Sequence, residues 1–309
     1  MKARKVWALM LSVVLLQVLA FAAAVYAARP ATPGKPDKNR PVRATDIELV
    51  KKITMRGRPP WAGGGKPSSA AATGVLGESV DGERYAVVVG ISDYPGDAND
   101  LNYCDDDALA MAKALTDVYD FTNVTLLLDL YATRSNILDA IDDIPADAGE
   151  IVFFFSGHGM SGKADDGDRE KQDEALVAHD GEQIVPIWDG ELAGAFAGFE
   201  TSRIIFVFDT CLAGGMEGDL SEPGRVIAMA TNEKGYAVEG DAWENGEFTY
   251  YFVDQGILQG KANVHDYDGD ESTEEPEQVT VEEAFDYAKS GCVNDRPTIG
   301  DDFGDDLLP

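Results

Sequence analysis

From Arg84 onward, short continuous apolar runs alternate with longer stretches in which apolar residues recur every three to four positions. Runs of this length predict strands buried on both faces, and the longer period predicts helices. The series opens with a strand at 84–92 (RYAVVVGIS), a helix at 104–119 with an acidic first turn and a strand at 123–129. A helix from the cap residue Thr133 to about Ile141 follows, then a strand at 150–159 (EIVFFFSGHG). Beyond it come a helix at 189–198, strands at 203–209 (RIIFVFD) and 225–230, and helices at 247–260 and 279–289. Thr280 and Glu283 open the last of these as a capping box. Such alternation predicts an α/β domain with a mainly parallel sheet flanked by helices on both faces. Residues 161–183 start polar, tighten into a short strand-like piece at 174–178 (EALVA) and turn at Asp180-Gly181, and the whole reads as a long exposed loop.

No sustained period runs through 29–80. The stretch 56–74 (RGRPPWAGGGKPSSAAATG) reads as a flexible linker. Ahead of it, Lys2, Arg4 and Lys5 precede an apolar run from Val6 to about Val25, and Val25-Tyr26-Ala27 has the small-x-small pattern of a cleavage site. A signal peptide at 1–28 follows, with a secreted or cell-envelope location; a retained membrane anchor is the alternative, and the membrane is a partner only through that segment if it stays uncut. The expected organisation is completed by a basic pro-segment or linker at 29–80, a main domain at 81–262 and an acidic C-terminal extension at 263–309 packing on it.

Charge sharpens this division. The 309-residue chain has a net charge of −31, yet residues 29–66 carry +7 and residues 67–309 carry −41. An acidic body with a basic arm argues against nucleic acid and favours cationic substrates and divalent metal ions. A pro-segment whose Arg56 or Arg58 occupies an acidic cleft until it is cut is one reading of the arm; a plain stalk is the other. Three cysteines, Cys104, Cys211 and Cys292, leave at least one outside any intramolecular disulfide.

The candidate chemistry lies at two strand ends. His158 follows the strand at 150–159 between Gly157 and Gly159, and Cys211 follows the strand at 203–209 in 209–215 (DTCLAGG). Parallel strands in one sheet bring their carboxyl ends to the same rim. A thiol needs a base to become a nucleophile, and His158 is placed to be that base. The amides of Gly159 and Cys211 are the candidate oxyanion donors.

The segments YAVVVGIS, LNYCDDDA, SGHG, DEALVAHDG, DTCLAGG and GEFTYYF occur in the order found in caspase-like cysteine peptidases. The chain resembles these over about residues 84–260, most nearly the metacaspases and their prokaryotic relatives. His158 lies 53 residues before Cys211, near the caspase spacing, although the Q-A-C-x-G signature is replaced by Asp209-Thr210-Cys211. The resemblance implies a caspase-like fold and places the substrate pocket on Cys104, Asp107, Ser156 and Asp209. Carboxylates in such a cleft favour Arg or Lys before the scissile bond and repel an acidic side chain.

Calcium is the cofactor the resemblance implies, and no organic cofactor is expected. Asp165, Asp166, Asp168, Asp173 and Glu174 supply hard oxygen ligands after the histidine; a solvated acidic loop would read the same way. A second candidate is 265–278 (HDYDGDESTEEPEQ), where Asp266, Asp268, Asp270 and Glu277 follow calcium-loop spacing. Against it, Glu271 stands where an EF-hand has glycine.

The expected activity is therefore hydrolysis of protein or peptide substrates after Arg or Lys, with self-processing in the basic linker or near Arg169 and Lys171. The rivals are a non-catalytic calcium-binding or adhesion protein on the same scaffold, and a peptidase of different specificity, as in the Asn-specific legumain-like relatives.

Overall fold

The computed structural model describes residues 42–56, 70–166, 171–271 and 276–309; the signal segment expected at 1–28, Arg58, Asp168 and Arg169 lie outside the described residues. In chain order the first half comprises β1 (Ala44–Val50), β2 (Ile53–Met55), β3 (Arg84–Gly90), α1 (Cys104–Asp117), β4 (Asn123–Leu128), α2 (Arg134–Asp142) and β5 (Glu150–Ser156). Next come β6 (Gly159–Ala164), β7 (Asp173–His179), β8 (Ile184–Trp188), α3 (Asp189–Phe196), β9 (Ile204–Asp209) and β10 (Arg225–Met229). The remainder is β11 (Val238–Gly240), β12 (Asn245–Gly246), α4 (α-helical at Glu247–Thr249, then π-wound at Tyr250–Leu258), α5 (Val281–Gly291) and β13 (Thr298–Asp301).

The central sheet has the order β13-β10-β9-β5-β3-β4. Its pairings are parallel except at the β13 edge. Alternate residues of one strand serve opposite faces: Val87 and Val89 join the core with α2 and α3, while Ala86 and Val88 join the core with α1, α4 and α5. That two-sided burial is why these strands are apolar without interruption. The caps read from sequence are present, Thr133 accepting from the Asn136 amide and Thr280 forming the capping box with Glu283. Segment 263–309 supplies α5 and the edge strand β13, which pairs antiparallel with β10.

Two expectations are overturned. Segment 161–183 is largely sheet: β6, β7 and β8 join β1 in an antiparallel order β1-β6-β7-β8, and every residue of β7 is buried. Its polar residues concealed this because they are buried against internal partners, Asp173 Oδ2 accepting from the Ala164 amide at 2.7 Å and His179 Nε2 lying 2.9 Å from the Asp129 carbonyl. Nor is 29–80 without structure. β1 pairs with β6, and β2 pairs parallel with β11, so residues 44–55 of the basic arm are laid across the domain.

Candidate active site

Strands β5 and β9 are neighbours with Ser156 opposite Asp209, so the turns after them leave from one rim. The Gly157 amide donates to the Asp209 carbonyl at 3.3 Å. The two turns then touch: a Cβ on Gly159 would lie 2.1 Å from the Cys211 carbonyl oxygen, so only glycine fits there. His158 and Cys211 are thereby gathered at the same end of the sheet, while His179 is committed to the Asp129 carbonyl and His265 lies beside Tyr267.

The surroundings of His158 fix its ring. Nε2 lies 2.8 Å from the Asn99 carbonyl, an acceptor, so Nε2 carries the proton and Nδ1 is left as the acceptor toward the cleft. Tyr94 supports the ring from one side, with centroids 5.0 Å apart, and its hydroxyl accepts from the His158 amide at 3.1 Å. Burial lowers the imidazole pKa to about 4; the Asn99 carbonyl opposes this and the charges of Lys51 and Lys52 reinforce it. Cys211 Sγ accepts from the Ala237 amide at 3.2 Å. Burial pushes the thiol up to about 11, against the Ala237 hydrogen bond and Lys52. In this state both groups are neutral. Cys104, Cys211 and Cys292 are all free thiols.

The basic arm covers His158, the Lys52 amide donating to Nδ1 at 3.0 Å. Lys52, between β1 and β2, inserts its side chain into the pocket formed by Cys104, Asp107, Ser156 and Asp209. Its ammonium lies 2.6 Å from Asp209 Oδ1, 3.2 Å from Ser156 Oγ and the Asp209 carbonyl, 3.5 Å from Asp107 Oδ2 and 3.8 Å from Cys104 Sγ. Burial alone would lower the Lys52 pKa, but Asp209, Cys104, Asp107 and Glu239 outweigh it and hold the ammonium charged. The expectation that Arg56 or Arg58 fills the cleft is corrected: Arg56 is exposed, Arg58 lies outside the described residues, and Lys52 takes the place. The signal was present in the Lys51-Lys52 pair following the alternating stretch 44–50 (ATDIELV).

The pocket carboxylates are themselves held. Asp107 accepts from Ser156 Oγ at 2.6 Å, the Gly246 amide at 2.8 Å and Asn245 Nδ2 at 3.1 Å. Asp209 Oδ2 accepts from the Thr249 hydroxyl at 2.7 Å and amide at 3.0 Å. Asn99, Tyr94, Asn245 and Thr249 are site-forming residues that sequence reasoning missed, since nothing local marks a loop carbonyl or a helix-start threonine as facing a cleft.

Of the metal-ligand candidates after His158, the structure brings Asp166 and Asp173 together and adds Asp189 from the start of α3, with one carboxylate oxygen of each within 4.8 Å of the others. Asp165 is exposed and outside this group. Asp173 and Asp189 are buried, and Asp173 Oδ1 has no hydrogen-bond partner among the described residues. Burial raises the Asp189 pKa, the Glu174 amide opposes this, and the charges of Asp219 and Asp166 add to it. A partly to fully buried set of hard oxygens, one of them unpartnered among the described residues, suits a calcium ion. In the second candidate, Asp266, Asp268 and Asp270 converge on an exposed loop, but Glu277 stands apart from the group they form.

Comparison with known proteins agrees with this geometry. The caspase-domain family profile matches residues 83–288. Metacaspase-7 of Arabidopsis thaliana is 30% identical over 152 residues, covering 45% of this chain and 37% of that protein. Metacaspase-4 of the same plant is 26% identical over 268 residues, covering 73% of this chain and 63% of its own length. The chain thus spans less than two thirds of either relative. In fold it is similar to the crystal structure of a Geobacter sulfurreducens protein, with a TM-score of 0.51 and 17% identity over 71% of this chain and 92% of the other. A parallel sheet with His158 and Cys211 at adjoining strand ends, matched by that profile across two thirds of its length, places the chain in the caspase-domain family of cysteine peptidases, on its metacaspase side.

Proposed function

We propose that the protein is a cysteine endopeptidase that hydrolyses peptide bonds after Lys or Arg. The observation that carries this reading is the Lys52 ammonium seated between Asp209 and Asp107 beside Cys211, because a pocket that pairs one lysine so closely suits the same side chain on a substrate.

His158 Nδ1 takes the proton of Cys211, and the sulfur attacks the substrate carbonyl carbon. The amides of Gly159 and Cys211 stabilise the oxyanion. The C–N bond breaks as the imidazolium returns its proton to the leaving amine, and the resulting thioester is hydrolysed by water that His158 deprotonates. The Asn99 carbonyl keeps the ring in the tautomer this sequence requires.

Asp166, Asp173 and Asp189 are the residues that would hold calcium, whose charge neutralises their mutual repulsion. Asp166 follows β6 and Asp173 begins β7, so the ion would close the hairpin whose first residue is Gly159. Export directed by the segment at 1–28, and self-processing near Lys171, belong to the same reading.

The test is hydrolysis of reporter peptides ending in Lys, Arg, Asn or Asp by the full chain and its Lys52→Ala form, with calcium or chelator. Cleavage of the Lys and Arg reporters alone, abolished in Cys211→Ala, is the expected outcome. Cleavage after Asn would replace the specificity, and no cleavage of any under reducing conditions would favour the non-catalytic scaffold.

A further inference from the structure

The direction in which the arm crosses the cleft decides whether it is a substrate. A cleavable chain has its pocket residue followed by the leaving amine, and that amine must face His158 to receive a proton. In a productive complex the pocket residue's carbonyl would lie within reach of Cys211, and the residues before it would lie on the side away from His158. A productive chain therefore runs toward His158.

The arm runs the other way. The amide that donates to His158 Nδ1, at 3.0 Å, is Lys52's own N–H, which belongs to the Lys51–Lys52 bond. The residues after Lys52 are the ones on β11: the Ile53 amide donates to the Ala237 carbonyl at 2.9 Å, and Ile53, Thr54 and Met55 pair parallel with Val238, Glu239 and Gly240. The peptide bond presented to the imidazole thus has the pocket residue on its leaving side, and the Lys52–Ile53 bond leads on to β11. Before Lys52, β1 pairs antiparallel with β6 and sets Val50 opposite Gly159, so the strand also covers the oxyanion donor.

We propose that residues 44–55 form a reversed pseudosubstrate: Lys52 satisfies the basic pocket while the backbone polarity prevents the site from cutting after it. This rests on the peptidase reading for the pocket's role, but not for the binding itself. Two further features fit a plug that can leave. The strap contributes little to the core, since Val50 and Lys52 are its buried side chains while Ile47 and Ile53 are 50% and 47% exposed. Besides its backbone ladder it is held at its exposed edge by the Thr54–Glu239 and Asn102–Thr54 hydrogen bonds at 2.6 and 3.2 Å, the Lys51 bond to the Ala98 carbonyl and the exposed Asp46–Lys163 ion pair, so the Lys52 ion pair is its buried anchor. The cleft should accordingly accept, in trans, an extended segment that carries a lysine and runs parallel to β11.

The test uses the full chain as wild type, Lys52→Glu, Lys52→Arg and Cys211→Ala, with folding checked by circular dichroism. Alkylation of Cys211 is followed by peptide mapping, which separates it from Cys104 and Cys292. Lys52→Glu sets a third carboxylate against Asp107 and Asp209 and should expose the thiol on the order of 100-fold faster, while Lys52→Arg keeps it protected. A synthetic peptide of residues 44–56 added to Lys52→Glu should restore protection and be recovered uncut at Lys52–Ile53. Protection of Lys52→Glu equal to wild type would overturn the plug. Cleavage after Lys52 in wild type but not in Cys211→Ala, or cleavage of the added peptide there, would overturn the reversed direction. An exposed thiol in Lys52→Glu that cleaves no basic reporter would uphold the plug and refute the peptidase specificity instead.

Discussion

At the scale of single residues the site is governed by what burial does to charge. Asp209 and Asp107 sit at the end of a closed pocket, and removing one partner of such a buried pair costs about 3–5 kcal/mol. Asp209→Asn keeps the Thr249 hydrogen bonds within reach but loses the charge, and kcat/KM for Lys and Arg reporters should fall by roughly 100-fold or more. Steady-state kinetics on the Lys52→Ala background measures this apart from strap release. His158 makes the closed state sensitive to acid. Its folded pKa of about 4 lies below its unfolded value, so as pH falls through 6.5 toward 4 the unfolded chain gains a proton that the folded chain refuses. Closed-state stability therefore drops across that window, by up to ~3 kcal/mol. Urea unfolding of wild type and His158→Gln between pH 7.5 and 4 should show the wild type losing that much more than the variant.

At the scale of elements, what was legible in sequence divides from what was not along a physical line. β3, β5 and β9 and the helices α1, α2 and α5 announce themselves because each buries a periodic or continuous apolar face. His158 and Cys211 could be placed for a related reason: they stand just past the ends of two neighbouring strands, where the sheet register decides their position. Cys104, Asp107, Ser156 and Asp209 came from the resemblance, and in the structure they surround Lys52. β1 and β2 were not legible, and β7 was so only as a short strand-like piece at 174–178 within an expected loop. The first two are held by backbone ladders, the buried Lys52 and a few side-chain contacts, and a ladder leaves no trace in composition; β7 buries Asp173, Glu174 and His179 through partners outside the strand. Asp189 was concealed by its position in the first turn of α3, where an acidic residue is ordinary. The short β11–β12 unit has its own prediction. A Cβ on Gly246 would stand 2.3 Å from Asp209 Oδ2 and 2.8 Å from the Lys52 ammonium, so Gly246→Ala fills the pocket from β12. Basic reporters should lose about 10-fold or more in affinity, as a rise in KM, because the overlap is with the bound cation as well as the carboxylate.

At the scale of the whole molecule the excess of carboxylates makes cation effects easy to misread. A chain of net charge −31 is stabilised by any salt that screens its self-repulsion, so a rise in melting temperature on adding calcium does not by itself identify a site. The two candidate clusters separate the specific effect from the general one. Asp166, Asp173 and Asp189 are partly or fully buried and tie the β6–β7 hairpin to α3, whereas Asp266, Asp268 and Asp270 are exposed on one loop, where the side chains of Asp266 and Asp268 already accept from its amides. Only an ion bound in the first set joins separate elements of the fold. A ligand present at 100 times its dissociation constant adds about 2.7 kcal/mol, which for a domain of this size is a shift of roughly 5–10 °C. At constant ionic strength, calcium should produce such a shift in the wild type and magnesium much less, because Mg2+ requires a tighter octahedral shell. Asp173→Asn should abolish most of it while Asp268→Asn retains it. Equal shifts with both ions, or a shift lost in Asp268→Asn and kept in Asp173→Asn, would move the calcium site away from the hairpin that carries Gly159.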